Sequence, residues 1–187
     1  VVEVQQGTDD RQEGGFAYYF RDGTKLSIGQ WVHLMITVSD NTATMLLREL
    51  LKRFPEHELV PSAQYGLAWL LNDSNRSPEA VTVLKELLAG KKAPEALRAR
   101  SLELLVYAEQ KAGDPDGALE AYQRLAGSTN DEEMRLKAAQ SVVVAMKAAK
   151  RPDQADAVLD SVARSSRTPS IRARATVERA YLALEGQ

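Results

Sequence analysis

The chain has no cysteine. This excludes a disulfide framework, a thiolate nucleophile and a zinc–thiolate site, and it leaves the redox compartment open, because cysteine-free chains occur on both sides of a membrane. A charge bias is also missing. The 24 Lys and Arg against 26 Asp and Glu give a formal net charge of −2, too small to draw the whole molecule toward nucleic acid or an anionic membrane. No run approaches the roughly 18 to 20 apolar residues that a spanning helix needs, so no membrane insertion is expected. Residues 1–12 lack the basic-then-apolar layout of a signal peptide, and the first residue is Val1 rather than methionine, so whatever lies upstream is unseen. The expectation is a soluble chain of unassigned compartment and oligomeric state. No cofactor motif is present.

What remains is ordinary globular material. A hydrophobic fraction of 44% and a charged fraction of 27% over 187 residues suffice for a folded core. Composition changes near residue 42. Glycine and aromatics concentrate before it (Gly7, Gly14, Gly15, Gly23, Gly29; Phe16, Tyr18, Tyr19, Phe20), whereas alanine and leucine dominate after Ala43. Val1 to Val4 and Phe16 to Phe20 are short β-prone runs, with a turn signal at Asp22-Gly23. Ile28, Trp31, Val32, Met35 and Ile36 recur at helical spacing behind Ser27, a candidate cap. Helical stretches then alternate with breakers at Phe54-Pro55, Asn72 to Pro78, Gly90 to Pro94, Gly113-Asp114-Pro115, Gly127 to Asn130, Arg151-Pro152 and Thr168-Pro169.

Self-similarity is visible in Ser77-Pro78-Glu79-Ala80 with Leu84, Pro115-Asp116-Gly117-Ala118 with Tyr122, and Pro152-Asp153-Gln154-Ala155 with Leu159. Ala80 to Ala118 is 38 residues and Ala118 to Ala155 is 37. A small residue lets two helices approach, and the large one a turn later fills the groove between them. Leu102 to Leu125 resembles the tetratricopeptide consensus at Gly113, Ala118 and Tyr122, and Gln64 to Trp69 resembles the first helix of such a repeat; Val106 and Val143 depart from it. The resemblance implies a mostly α fold: a right-handed α-α superhelix, a tetratricopeptide-like solenoid over 42–187, with a small irregular or extended segment at 1–41. It further implies a groove lined by first helices that holds a protein or peptide partner. Register from Ala118 and Ala155 places Arg100, Glu103, Tyr107, Gln110, Lys137, Gln140 and Lys147 there.

Gly23 to Leu47, GTKLSIGQWVHLMITVSDNTATMLL, is similar to the stretch around the Ser-Asp-Asn motif of class A β-lactamases and related penicillin-recognising serine hydrolases. Ser39-Asp40-Asn41 stands as that motif. The resemblance implies a serine that assists proton transfer, a nucleophile in an S-x-x-K motif some sixty residues upstream, and a K-T-G strand. Only 38 residues precede Ser39. The sole earlier serine, Ser27, has Gln30 at the third position, and Lys91-Lys92 and Lys111-Ala112-Gly113 are not K-T-G. The motif therefore reads as vestigial, and no enzyme is expected from these residues. The family inclines toward a periplasmic or secreted location. Because no linker separates the motif from Met45 to Leu51, the sequence reads as a chimera in which residues 1–41 cap the helical array, with Trp31 and Met45 buried against it.

Other candidates have plainer readings. His33 lies on an apolar helix face and reads as a packed histidine. His57 sits between Glu56 and Glu58, but adjacent turn residues seldom converge on one ion, so no metal site is expected. Asp131-Glu132-Glu133 opens a helix, where carboxylates meet the dipole. Arg164, Arg167, Arg172, Arg174 and Arg179 make a basic C-terminal region; without interleaved aromatics a solvated face is expected rather than nucleic-acid binding. The function expected is a non-enzymatic interaction scaffold. The alternative is a β-lactamase-like serine hydrolase portion with a helical-repeat extension.

Overall fold

In a computed structural model the described residues are 2–3, 25–26 and 41–185. Val2–Glu3 (β1) pairs antiparallel with Lys25–Leu26 (β2), Val2 opposite Leu26 and Glu3 opposite Lys25. Eight helices follow among the described residues: α1 Asn41–Arg53, α2 Val60–Asp73, α3 Ser77–Ala89, α4 Glu95–Ala112, α5 Pro115–Ser128, α6 Glu132–Ala148, α7 Pro152–Ser165 and α8 Pro169–Glu185. The fold is mostly α. The run Ile28 to Ile36, with Trp31 and His33, and the run Phe16 to Phe20 lie outside the described residues.

The breakers act where the sequence places them. Prolines at 61, 78, 115, 152 and 169 sit at helix starts, where a missing N–H costs nothing and a fixed φ favours the first turn. Asp114 caps α5 by accepting the Gly117 N–H at 2.9 Å, and Asp131 caps α6 by accepting the Met134 N–H at 3.0 Å. At the ends of α2, α4 and α6 the chain turns through Asn75, Gly113 and Lys150, with φ of 59°, 80° and 59°. The next residue then donates back across the turn: Arg76 to the Leu71 carbonyl (2.8 Å), Asp114 to Glu109 (3.0 Å) and Arg151 to Met146 (2.9 Å). This left-handed closure satisfies helix-end carbonyls that would otherwise have no partner.

These turns recur with the period of the alanines, and so does burial. On α4 the buried residues are Ala99, Ser101, Leu102, Leu105, Val106, Ala108 and Glu109. On α6 they are Leu136, Ala138, Ala139, Val142, Val143, Ala145 and Met146, each one period further on. Ala118, Ala121, Tyr122 and Leu125 of α5 likewise match Ala155, Val158, Leu159 and Val162 of α7. Ala80, Ala118 and Ala155 are fully enclosed, as their packing role requires.

The chain divides into two compact units, residues 1–97 and 98–187. In the first, α2 packs on α1 and α3, with Leu47, Leu50, Leu67, Leu70, Leu71, Leu84 and Leu87 in the core. In the second, α6 packs on α5 and α7, and α8 packs on α7 and α6. Met45, expected to be buried, is instead 42% exposed. It lies on the face of α1 opposite the buried Thr44, Leu47 and Leu50. Trp31 lies outside the described residues.

Candidate functional site

Four first-helix positions expected on the groove, Arg100, Tyr107, Lys137 and Lys147, are exposed, and Glu103, Gln110 and Gln140 are half-buried. Within the second unit they form two stripes, on α4 and on α6. Burial pushes the Glu103 carboxyl up; Lys137 and Arg100 oppose this, and Asp131 adds to it. The Lys111 ammonium stands 5.8 Å from the centre of the Tyr107 ring, within cation–π range. The expected groove leaves out α8, which partners two of its α6 residues: Gln140 donates to Glu178 and Lys147 pairs with Glu185, while beside them Arg174 Nη1 lies 2.8 and 2.9 Å from the two Glu133 oxygens. Tyr107, Val144 and Tyr181 occupy equivalent, exposed positions on α4, α6 and α8. The 37-residue step from Ala118 to Ala155, carried on to position 181, is the signal that would have found the third.

Four of the five C-terminal arginines, Arg164, Arg172, Arg174 and Arg179, hold side-chain partners within the molecule. Arg179 bridges Asp156 (2.7 and 2.9 Å) and Asp160, Arg164 pairs with Asp160 at 2.8 Å, and Arg172 donates to the carbonyls of Ser166 and Arg167. Glu132 does more than meet a helix dipole. Its carboxylate accepts the backbone N–H of Arg167 (2.7 Å) and Thr168 (3.0 Å), fixing the turn into α8, and those donors hold its pKa low. His57 Nδ1 accepts the Leu59 N–H at 3.2 Å, and Glu56 pairs with Lys92. No cluster of metal-ligating residues occurs among the described residues, and no described helix is long and apolar enough to cross a membrane.

In the first unit a cavity of about 520 Å³ opens between α1, α2 and α3, lined by Leu51, Pro55, Val60, Leu67 and Val83 and by charged Arg48, Lys52, Glu79 and Glu86. Arg48 of α1 meets Glu79 of α3 at 2.6 Å, and Arg76 holds the same carboxylate at 2.6 and 2.8 Å. These hydrogen bonds, Arg76 foremost, hold the Glu79 pKa down to about 2. The cavity wall α1 begins at Asn41, third residue of the Ser-Asp-Asn motif; Ser39 and Asp40 lie outside the described residues.

That motif falls inside a match to a family model described as the β-lactamase enzyme family, which covers residues 2–155. The chain belongs to the β-lactamase enzyme family. Comparison with curated proteins and with solved structures finds no match. The matching model is of β-lactamase and not of tetratricopeptide type, and what repeats in the helices is their 37-residue spacing of buried residues and turns. The β-lactamase match runs through α1 to α6 and into α7, well beyond the stretch Gly23 to Leu47 that carries the motif.

Proposed function

We propose that this chain carries the Ser-Asp-Asn portion of a β-lactamase-like serine hydrolase, joined to a helical-repeat extension. The family match enclosing Ser39-Asp40-Asn41 is the observation that supports it. In this reading Ser39 takes the proton-transfer role of the motif. The 187 residues alone do not turn over a β-lactam, because neither an S-x-x-K nucleophile nor a K-T-G strand is among them, and without the nucleophile little chemistry survives. The test has two arms. The chain as given should leave nitrocefin intact and take no label from a fluorescent penicillin. The polypeptide read in frame beyond both ends should hydrolyse nitrocefin and lose about 10² to 10⁴ of its rate on Ser39→Ala, the usual worth of positioned proton transfer. Labelling of the 187 residues would overturn the first part, and an extended chain that is inert would overturn the second.

A second reading is favoured by the row Tyr107, Val144 and Tyr181: an interaction scaffold that holds an extended peptide across α4, α6 and α8. Three exposed apolar side chains at equivalent positions offer successive contacts to an extended chain. On a peptide array, Tyr107→Ala with Lys147→Glu should erase the signal; an unchanged pattern would remove the groove from this face.

A further inference from the structure

The cavity between α1, α2 and α3 carries polar groups that the repeat does not require. Much of its lining is hydrocarbon: Leu67 is buried, Leu51, Val60 and Val83 are half-buried, and Pro55 is exposed. Arg48 and Glu79, the first lining residues of their helices, join α1 to α3 by an ion pair. Lys52 stands about one turn beyond Arg48, Glu86 about two turns beyond Glu79, and α2 contributes Gln64. The side chains of these three hold no hydrogen bond or ion pair among the described residues. Two repeats further on, Leu47, Leu67 and Leu84 become Tyr122, Val142 and Leu159, all buried. On the same register Lys52, Gln64 and Glu86 become Gly127, Ala139 and Ser161. Helix packing therefore does not call for an ammonium, an amide and a carboxylate at these places.

We propose that this cavity binds a short apolar peptide with both ends free, of about dipeptide size, as its zwitterion. The Lys52 ammonium on α1 meets the ligand's carboxylate, and the Glu86 carboxylate on α3 meets its ammonium. Gln64, half-buried on α2 between them, offers an amide to the peptide group. The aliphatic lining takes the two side chains, those of Leu51, Pro55 and Val60 forming one patch and those of Leu67 and Val83 the other. Charges of opposite sign on the two walls favour a ligand that carries both. The volume of about 520 Å³ falls within the roughly 300 to 1,000 Å³ of small-ligand pockets, which are likewise mostly apolar with a few placed polar groups. Two turns of a partner helix, a cylinder about 10 Å wide and 11 Å long, would overfill it. The proposal rests on neither reading of function given above.

Titration of the full chain with L-leucyl-L-leucine, followed by amide NMR, should move the signals of residues lining the cavity, with a dissociation constant on the order of 1 mM. N-acetylation removes the peptide's ammonium and amidation its carboxylate. Each should weaken binding about threefold to fivefold, the worth of an exposed ion pair. Glycylglycine has the same charges and peptide group without the hydrocarbon, and should not bind at 10 mM. The blocked peptides also assign the partners. With Glu86→Gln the free and the acetylated peptide should bind alike while amidation still weakens binding, and Lys52→Gln should do the reverse. Both residues are exposed, so neither change should alter the melting point. The proposal is overturned if no lining signal moves at 10 mM, if acetylation and amidation leave the affinity unchanged, or if glycylglycine binds as well as leucyl-leucine.

Discussion

Gly117 stands on the first turn of α5 with the Asp114 carboxylate on one side and that of Glu109 on the other. A Cβ there would fall 2.8 Å from an Asp114 oxygen and 2.8 Å from the Glu109 carboxyl carbon. The crowding partners are a helix cap and a buried carboxylate, neither of which moves without losing its own contacts. Gly117→Ala should therefore cost about 1 to 3 kcal/mol in chemical denaturation despite alanine's better helix propensity. The Gly equivalents at positions 79 and 154 are Glu and Gln, so the restriction belongs to this repeat and arises from Glu109, whose place on α6 is taken by Met146. Glu103 offers a second local test. Burial raises its pKa and Lys137 draws it back; Lys137→Met should raise it further, read by carboxyl NMR titration, and Arg100→Met should do so less.

At the scale of the element, the recurring left-handed turn sorts its residues by strain. Gly113 adopts positive φ freely and asparagine tolerates it, but Lys150 at φ 59° does so against its Cβ, at about 1 to 2 kcal/mol. Lys150→Gly should stabilise the chain by roughly 0.5 to 1 kcal/mol once the extra freedom of an unfolded glycine is deducted. No gain in thermal or urea unfolding would mean that the turn is relaxed by its 6→1 bond. The caps point the other way. Asp114→Ala removes the acceptor of the Gly117 N–H and should cost about 1 kcal/mol. The breakers were legible from residue type alone, which is why every helix start but one falls within a few residues of the expected break; Asp114 and Asp131 as caps emerged only with the structure.

At the scale of the whole molecule, polar contacts within each unit join a helix to the next or to the next but one. Glu79 with Arg48 and Arg76, Asp116 with Arg151, Asp156 with Arg179, and Glu132 with the turn before α8 all have lowered carboxyl pKa values. A depressed folded pKa adds stability that is complete above the unfolded value and is lost as pH falls through the folded one. The melting temperature should therefore hold above pH 5 and decline between about 4.5 and 2, the range spanned by Glu79. Glu103 works in the opposite sense: its raised pKa favours the folded state at low pH and costs stability as pH rises through that value. One molar salt should flatten the acid slope, because these pairs are exposed and screened. A slope unaffected by salt would assign it to other carboxylates.

Residue type and spacing by themselves determined the helical class, the breaks and the 37–38-residue period, because a proline that cannot continue a helix and an alanine that must be crowded act locally and repeat in register. They also pointed to the β-lactamase family, through the run HLMITVSDNTAT. Tertiary structure decided what the period surrounds. Met45 reads as an apolar cap residue, yet it is Thr44, Leu47 and Leu50 on the opposite face of α1 that are buried. The C-terminal arginines read as a free basic face, and only packing α8 on α7 brings Asp156 and Asp160 to Arg179.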